Sequence, residues 1–202
     1  FFGFPKGNER GRNLAVGDID GDKKKDVVVT DPTNAQVWVY RQSGTTGLSS
    51  AESFPSLLGA KQVTLADFDG DGRNEAYVLS EQEKQIGVSR FHDGRLAFPV
   101  ALATVGEPVA MTLADQDGKP ALFYATRSKP GGDEFLIRAV HSDGHGGYAP
   151  VSFGAADEVK ISGLSGAPAA LRAFDVDQNG KTDLLIFSAF GSPILLLGQK
   201  DG

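Results

Sequence analysis

Aspartates recur at alternate positions in three short segments, and this spacing is suited to surrounding a hard cation with oxygen. Calcium takes about six to eight oxygen ligands. We number each segment from its first aspartate. Side chains at positions one, three, five and nine and the carbonyl at position seven then form the expected ligand set. The predicted ligands are Asp18, Asp20, Asp22, Lys24 and Asp26 in the first loop, Asp67, Asp69, Asp71, Arg73 and Glu75 in the second, and Asp175, Asp177, Asn179, Lys181 and Asp183 in the fourth.

A third copy of the pattern, at Asp115 and Asp117, has lost its ligands. Position five is Lys119, a cation where an anion is required, and position nine is Phe123. We therefore expect no calcium in this third loop, which should persist as a plain turn.

Position six of such a loop turns sharply and favours glycine. Gly72 and Gly180 occupy it in the second and fourth loops, whereas the first loop has Lys23. If the backbone there has a positive φ, Lys23 costs about 1 kcal/mol of strain.

An EF-hand and a metal-free polar turn are the alternatives to this type of calcium loop. An EF-hand needs a glutamate at position twelve and flanking helices, but position twelve is Val29, Val78 and Ile186, in predicted strands. Polar turns that bind nothing also contain Asp and Gly. Three loops in matching register favour a metal-binding role. The charge of the chain favours it too, because the three loops hold eleven of its 26 acidic residues and three bound Ca²⁺ would neutralise the net charge of −6.

The sequence around each loop repeats as well, and no segment has a convincing helical period. Each repeat predicts four short strands, the last marked by an aromatic residue near proline. This pattern predicts an all-β fold over residues 1–202, a β-propeller of four-stranded antiparallel blades. Alternatives are a β-sandwich and an irregular β-solenoid. The blade motifs lie near 14–30, 65–79, 113–125 and 173–187, and an inserted loop is expected within 150–171. About four blades form either a small closed ring or part of a larger one.

Composition excludes several classes of function. The negative net charge and the lack of a basic stripe argue against a nucleic-acid partner. The absence of cysteine excludes disulfides, zinc–thiolate sites and cysteine nucleophiles. No apolar run approaches the roughly 20 residues that cross a bilayer, so no membrane insertion is expected. The chain starts at Phe1 and shows no signal peptide, which we interpret as a piece of a longer protein.

The loop pattern followed by a strand resembles the FG-GAP and VCBS-type repeats, the blades of integrin-α-like β-propellers. That resemblance implies calcium in the loop joining the first two strands of a blade. It also implies an extracellular, periplasmic or cell-surface location and a role in adhesion, recognition or scaffolding. Seven or eight blades are usual in this family, so further blades would come from the same or another chain.

We expect a non-enzymatic module that binds an extracellular protein or a glycan through loops opposite the calcium loops. Those loops are 31–36, 80–85, 126–134, 188–193 and the insertion. A carbohydrate-binding propeller, or a non-catalytic module of a polysaccharide-active enzyme, is the alternative, with Trp38, Tyr40 and Tyr77 as stacking candidates. No catalytic residue is predicted. The three histidines, His92, His141 and His145, flank Asp-Gly turns and are expected to be solvated. A lyase or glycosidase is the less favoured enzymatic alternative.

Overall fold

The computed structural model describes residues 11–44, 47–116 and 118–199. Within these ranges the regular structure is β-strand, paired antiparallel throughout, and no helix is present. Consequently, the described part of the chain has no helix long and apolar enough to cross a bilayer. The all-β prediction is confirmed. The chain divides into two compact units, residues 1–103 and 104–202.

The first unit contains two four-stranded sheets and two short hairpins. Its strands are β1 (Leu14–Gly17), β2 (Asp26–Asp31), β3 (Gln36–Tyr40), β4 (Gln42–Ser43), β5 (Gly47–Leu48), β6 (Glu52–Pro55), β7 (Ala60–Ala66), β8 (Glu75–Ser80), β9 (Gln85–Ser89), β10 (Phe91–His92), β11 (Arg95–Leu96) and β12 (Val100–Ala101). The sheets have the orders β1-β2-β3-β6 and β7-β8-β9-β12, and the hairpins are β4-β5 and β10-β11.

One apolar core lies between the two sheets of this unit. Alternate residues of β2 and β3 face it, such as Val28, Val37 and Val39, because successive side chains of a strand point to opposite faces. Val63 and Val78 contribute from the second sheet. Strand β8 is buried along its whole length, as expected for a strand with covered faces.

The second unit has a larger sheet and a smaller one. Its strands are β13 (Glu107–Gln116), β14 (Lys119–Arg127), β15 (Phe135–Ser142), β16 (Tyr148–Pro150), β17 (Val159–Ile161), β18 (Ser165–Phe174), β19 (Asp183–Phe190) and β20 (Ile194–Leu196). The order β13-β14-β15-β16 forms the first sheet, with β17 pairing with the other end of β15. The order β18-β19-β20 forms the second. The core between them contains Phe123, Ile137, Leu171 and Ile186.

The predicted inserted loop at 150–171 is wrong in its main feature. Val159–Ile161 pairs with β15, and β18 already begins at Ser165. The many Gly, Ala and Ser residues suggested a loop because they carry little strand propensity. Here small side chains such as Ala167 and Ala173 pack against the core of the second unit, and bulges near Pro168 accommodate the residue that cannot donate a backbone bond.

The fourth strands agree with the prediction in part. Phe54-Pro55 and Tyr148–Pro150 lie in β6 and β16. Phe98-Pro99 precedes the fourth strand β12, because proline lacks the N–H that a ladder needs. The segments Phe4-Pro5 and Asp201-Gly202, predicted as a strand and a turn, lie outside the described residues.

Candidate metal centre

Strand register places each calcium-type loop at the junction of the first two strands of its sheet. Position nine is the first residue of the second strand, and it pairs with the last residue of the first strand. The pairs are Gly17 with Asp26, Ala66 with Glu75, and Phe174 with Asp183. The eight residues from position one to position eight are therefore held at both ends by a hydrogen-bonded ladder, which fixes where their carboxylates can lie.

The carboxylate at position one organises the loop backbone. It accepts hydrogen bonds from main-chain N–H groups three to five residues ahead, and these bonds recur in the three loops. They come from Gly21 (2.7 Å) and Lys23 (2.7 Å) to Asp18, from Gly70 (2.7 Å) and Gly72 (2.9 Å) to Asp67, and from Asn179 (3.0 Å) and Gly180 (2.9 Å) to Asp175. The backbone is thus wrapped around the first aspartate.

The side chains at positions three and five also accept main-chain hydrogen bonds, each through one oxygen. Position three accepts from the N–H of position five, and position five accepts from the N–H of position seven. The acceptors are Asp20 (3.1 Å), Asp69 (3.3 Å) and Asp177 (3.2 Å) at position three, and Asp22 (2.8 Å), Asp71 (2.8 Å) and Asn179 (2.7 Å) at position five. The second oxygens of the five aspartates make no backbone bond of this set, whereas the amide of Asn179 has one oxygen and donates through Nδ2 to the carbonyl of Gly198 over 2.8 Å.

Position nine is buried and ties the loop to the sheet. Asp26, Glu75 and Asp183 are at most 3% exposed. Each accepts a bond from the N–H of position two: Ile19 (3.1 Å), Phe68 (2.9 Å) and Val176 (2.7 Å). The second oxygens of Asp26 and Asp183 also accept from Gln42 and Gly198. A buried carboxylate is therefore present at the base of every intact loop.

The structure brings together three carboxylates in each intact loop, with ligand oxygens within 4.8 Å of one another. The groups are Asp18, Asp20 and Asp22; Asp67, Asp69 and Asp71; and Asp175, Asp177 and Asp183. Asp26 and Glu75 lie outside the first two groups, whereas Asp183 belongs to the third. The carbonyl ligands predicted at Lys24, Arg73 and Lys181 and the amide of Asn179 remain predictions.

Burial and crowding of like charges act on the position-nine acids of the first and second loops. Burial, and the nearby carboxylate of Asp69, raise the pKa of Glu75 to about 7. Burial also raises the pKa of Asp26. In the exposed part of the first loop the effect is opposite, because a hydrogen bond from the Lys24 ammonium lowers the pKa of Asp22. Burial therefore disfavours the charged form of Glu75 and Asp26, and a cation bound nearby would favour it.

Two arginines that the sequence reasoning missed approach the loops from the third strand. Arg41 follows β3 and lies 3.9 Å from Asp20, and Arg90 follows β9 and lies 3.5 Å from Asp69. Arg90 also lies 3.6 Å from the buried Glu75. The signal in the sequence is a basic residue directly after the third strand. The corresponding position in the fourth repeat is Leu197, and that loop has three carboxylates rather than four.

The backbone of the loops has the left-handed turns that the glycines suggested. At position six, φ is +65° for Lys23, +88° for Gly72 and +80° for Gly180. Position four is also left-handed, and there the fourth loop carries a non-glycine residue, Gln178, with φ of +58°. Strain in the first loop was therefore expected correctly, while that in the fourth loop was not foreseen.

The third loop is a tight turn between β13 and β14. Gln116 pairs directly with Lys119, and Gly118 donates to Asp115 over 2.7 Å. Asp117 lies outside the described residues. Within the described residues, no group of three acidic or histidine side chains gathers at this turn. The prediction that it holds no calcium remains a prediction.

The donor chemistry of the intact loops fits a hard divalent cation. Every ligand atom in the three acidic groups is a carboxylate oxygen, and no described histidine nitrogen or sulfur atom belongs to these groups. Protein cations already approach the same oxygens, with Lys24 Nζ 2.6 Å from Asp22 and the two arginines at position three. All-oxygen sites with several carboxylates select calcium or magnesium over zinc and copper.

The aromatic residues predicted to stack on sugars and the three histidines lie in different surroundings. Tyr77 and Tyr40 are buried, and the indole N–H of half-buried Trp38 points to Asp31 at 3.4 Å. These rings do not form an exposed stacking platform. His92 is exposed, as expected, and so is His145. His141 instead lies in β15, half-buried, with Nδ1 2.8 Å from the carbonyl of Ser142; it belongs to a strand because its backbone pairs with Ala121.

These features define a class: an all-β repeat protein whose carboxylate-rich loops join the first two strands of successive sheets. Residues 7–78, which include the first and second loops, match the model of the FG-GAP-like repeat. This part of the chain is therefore similar to an FG-GAP-type repeat, and the resemblance predicted from the spacing of its aspartates is confirmed.

A solved structure resembles the chain over a longer range. The crystal structure of BBS1N in complex with ARL6DN aligns with 92% of this chain and 50% of that chain, with a TM-score of 0.56 and 14% identity. The chain thus spans half the length of that relative, and at this identity the likeness concerns the fold alone. It supports a propeller-like fold. No curated protein sequence matches the chain.

Proposed function

We propose that the chain is a calcium-stabilised β-propeller module, located outside the cytoplasm, that serves protein recognition, adhesion or scaffolding. One observation carries this proposal: three separate loops each gather three carboxylates within 4.8 Å, and in each the N–H of position six donates to the aspartate at position one. Three acidic oxygens within 4.8 Å repel one another, and a bound cation would relieve that repulsion.

The role proposed for calcium is structural. Its ligands would be the carboxylates at positions one, three, five and nine, with Asn179 replacing aspartate in the fourth loop. Bound there, the ion would offset the mutual repulsion of these groups and hold the first two strands of each sheet together. A ligand that binds only the folded state stabilises that state by mass action.

The proposed location follows from affinity. Extracellular calcium modules have Kd values of about 10⁻⁴–10⁻³ M, whereas cytosolic sensors bind more tightly. The exposure of Asp22 and Asp177 supports sites of this weaker kind, because solvent and salt screen exposed carboxylates. Such sites fill at extracellular calcium levels.

The proposed recognition surface lies at the end of each sheet opposite to its metal loop. There the second strand connects to the third, in the segments 32–35, 81–84, 128–134 and 191–193. Loops on a rigid scaffold commonly carry binding function. An extracellular protein is the favoured partner, because the rings predicted to stack on sugars, Trp38, Tyr40 and Tyr77, are buried or half-buried.

Thermal unfolding with and without calcium tests the metal role. A site saturated at one hundred times its Kd contributes about 2.7 kcal/mol, so 10 mM CaCl₂ should raise the Tm by several degrees over EGTA. The same concentration of MgCl₂ is the ion control. Asp20→Asn, Asp69→Asn and Asp177→Asn should each remove part of the shift. A Tm that is equal in CaCl₂ and EGTA would overturn the proposal.

A further inference from the structure

The end of the second loop lies against the first loop. The main-chain N–H of Asn74, at position eight, donates to the carbonyl of Asp18, at position one of the first loop, over 2.7 Å. The side chain of Arg73 packs on Gly21, where an added Cβ would be 2.8 Å from its Cγ and Nε atoms. The first and second loops are therefore in direct contact.

The second unit has a related connection between its own two loops, made by a side chain instead of the main chain. Thr182, at position eight of the fourth loop, donates through Oγ1 to the carbonyl of Asp115, at position one of the third loop, over 2.8 Å. The link from position eight to the preceding position one thus occurs twice. In this second case, however, the recipient is the loop that has lost its ligands.

One peptide group connects the first and second sites. The carbonyl of Arg73 is the predicted position-seven ligand of the second loop, and the N–H of Asn74 belongs to the same planar peptide unit. A cation at that carbonyl polarises the unit and strengthens the bond that its N–H donates. That bond holds the backbone of Asp18, whose carboxylate organises the first loop.

We infer that cation binding at the first and second loops is positively coupled through the peptide between Arg73 and Asn74, a link in which the fourth loop takes no part. This inference rests on the proposed calcium sites and adds a regulation that they do not by themselves imply. Coupling between sites is reciprocal, so each of the two loops should increase the affinity of the other by the same factor.

The test follows calcium binding at each loop separately in the whole chain. Amide resonances of Gly21, Gly72 and Gly180 report the first, second and fourth loops in a ¹⁵N NMR titration. Asp69→Asn, at position three of the second loop, should weaken binding at Gly21 about fivefold. Asp20→Asn should weaken binding at Gly72 by the same factor. Asp69→Ala provides a second route if the first variant folds poorly.

Asp177→Asn is the matched control, because it makes the same change at position three of the fourth loop. Binding at Gly21 should not change in this variant. The inference is overturned if Asp69→Asn leaves the affinity at Gly21 unaltered, or if the control lowers it equally. If no glycine amide responds to calcium in the unsubstituted chain, it is the proposed function that fails.

Discussion

At the residue scale, the four-carboxylate and three-carboxylate loops have different neighbours. The first and second loops each have four acids and an arginine from the third strand, Arg41 or Arg90. The fourth loop has three acids, and Leu197 stands in the arginine position. Each arginine therefore offsets the extra carboxylate of its own loop. The sequence motif could not show this, because the arginines lie outside it.

Lys23 offers a direct measure of backbone strain in the first loop. Its φ of +65° is unfavourable for a residue with a Cβ, at a cost of about 1–2 kcal/mol. Lys23→Gly should raise the free energy of unfolding by up to about 1 kcal/mol, since the greater freedom of glycine in the unfolded chain offsets part of the gain. Urea unfolding in EGTA isolates this effect from metal binding.

Lys25→Gly is the control for that substitution. Lys25 lies in the same loop, carries the same charge and does not have a positive φ, so glycine there should destabilise the protein by its added freedom alone. Equal effects of the two substitutions would show that the left-handed backbone of Lys23 stores no strain.

At the element scale, the second and third strands of each repeat could be predicted well from the sequence. Their β-branched runs, such as Val27–Val29 in β2, are buried or half-buried. β-branched residues are enriched in strands that pack against a core, so these runs could be recognised in the sequence. The fourth strand and the start of β18 were harder, because they depend on packing. Pro99 precedes the strand in which it was predicted to lie. The small residues of β18 have little strand propensity of their own, and their packing against the core of the second unit stabilises the strand.

Gly87 shows how close that packing is in β9. A Cβ at this position would lie 2.5 Å from Cβ of Pro99 and 3.2 Å from Cδ1 of Leu57. Gly87→Ala should therefore lower the free energy of unfolding by about 1–3 kcal/mol, the usual cost of overpacking. Urea unfolding measures it, and Gly47→Ala is the matched control, because an added Cβ there meets nothing within 4 Å. Equal stability of the two variants would contradict the close contact.

At the scale of the whole molecule, repetition made the candidate sites predictable. A single aspartate-rich turn is compatible with several kinds of loop, but three turns in register with the same strands are compatible with fewer. The two compact units each contain two repeats, and the second unit joins the degenerate third loop to an intact one. The contact between position eight and the preceding loop could not be foreseen, because it depends on how neighbouring sheets pack within each unit.

The net charge of the whole chain gives a test of how many cations it holds. The formal charge is −6 at pH 7, so three divalent ions would bring it to zero. The protein should therefore migrate measurably toward the anode at pH 7 in EGTA, and its electrophoretic mobility should fall close to zero in saturating CaCl₂. Asp177→Asn, which removes one site and one negative charge, should leave a small residual mobility when calcium is saturating. An equal mobility in CaCl₂ and EGTA would mean that the carboxylate loops hold no ions, and a partial fall would mean that fewer than three are filled.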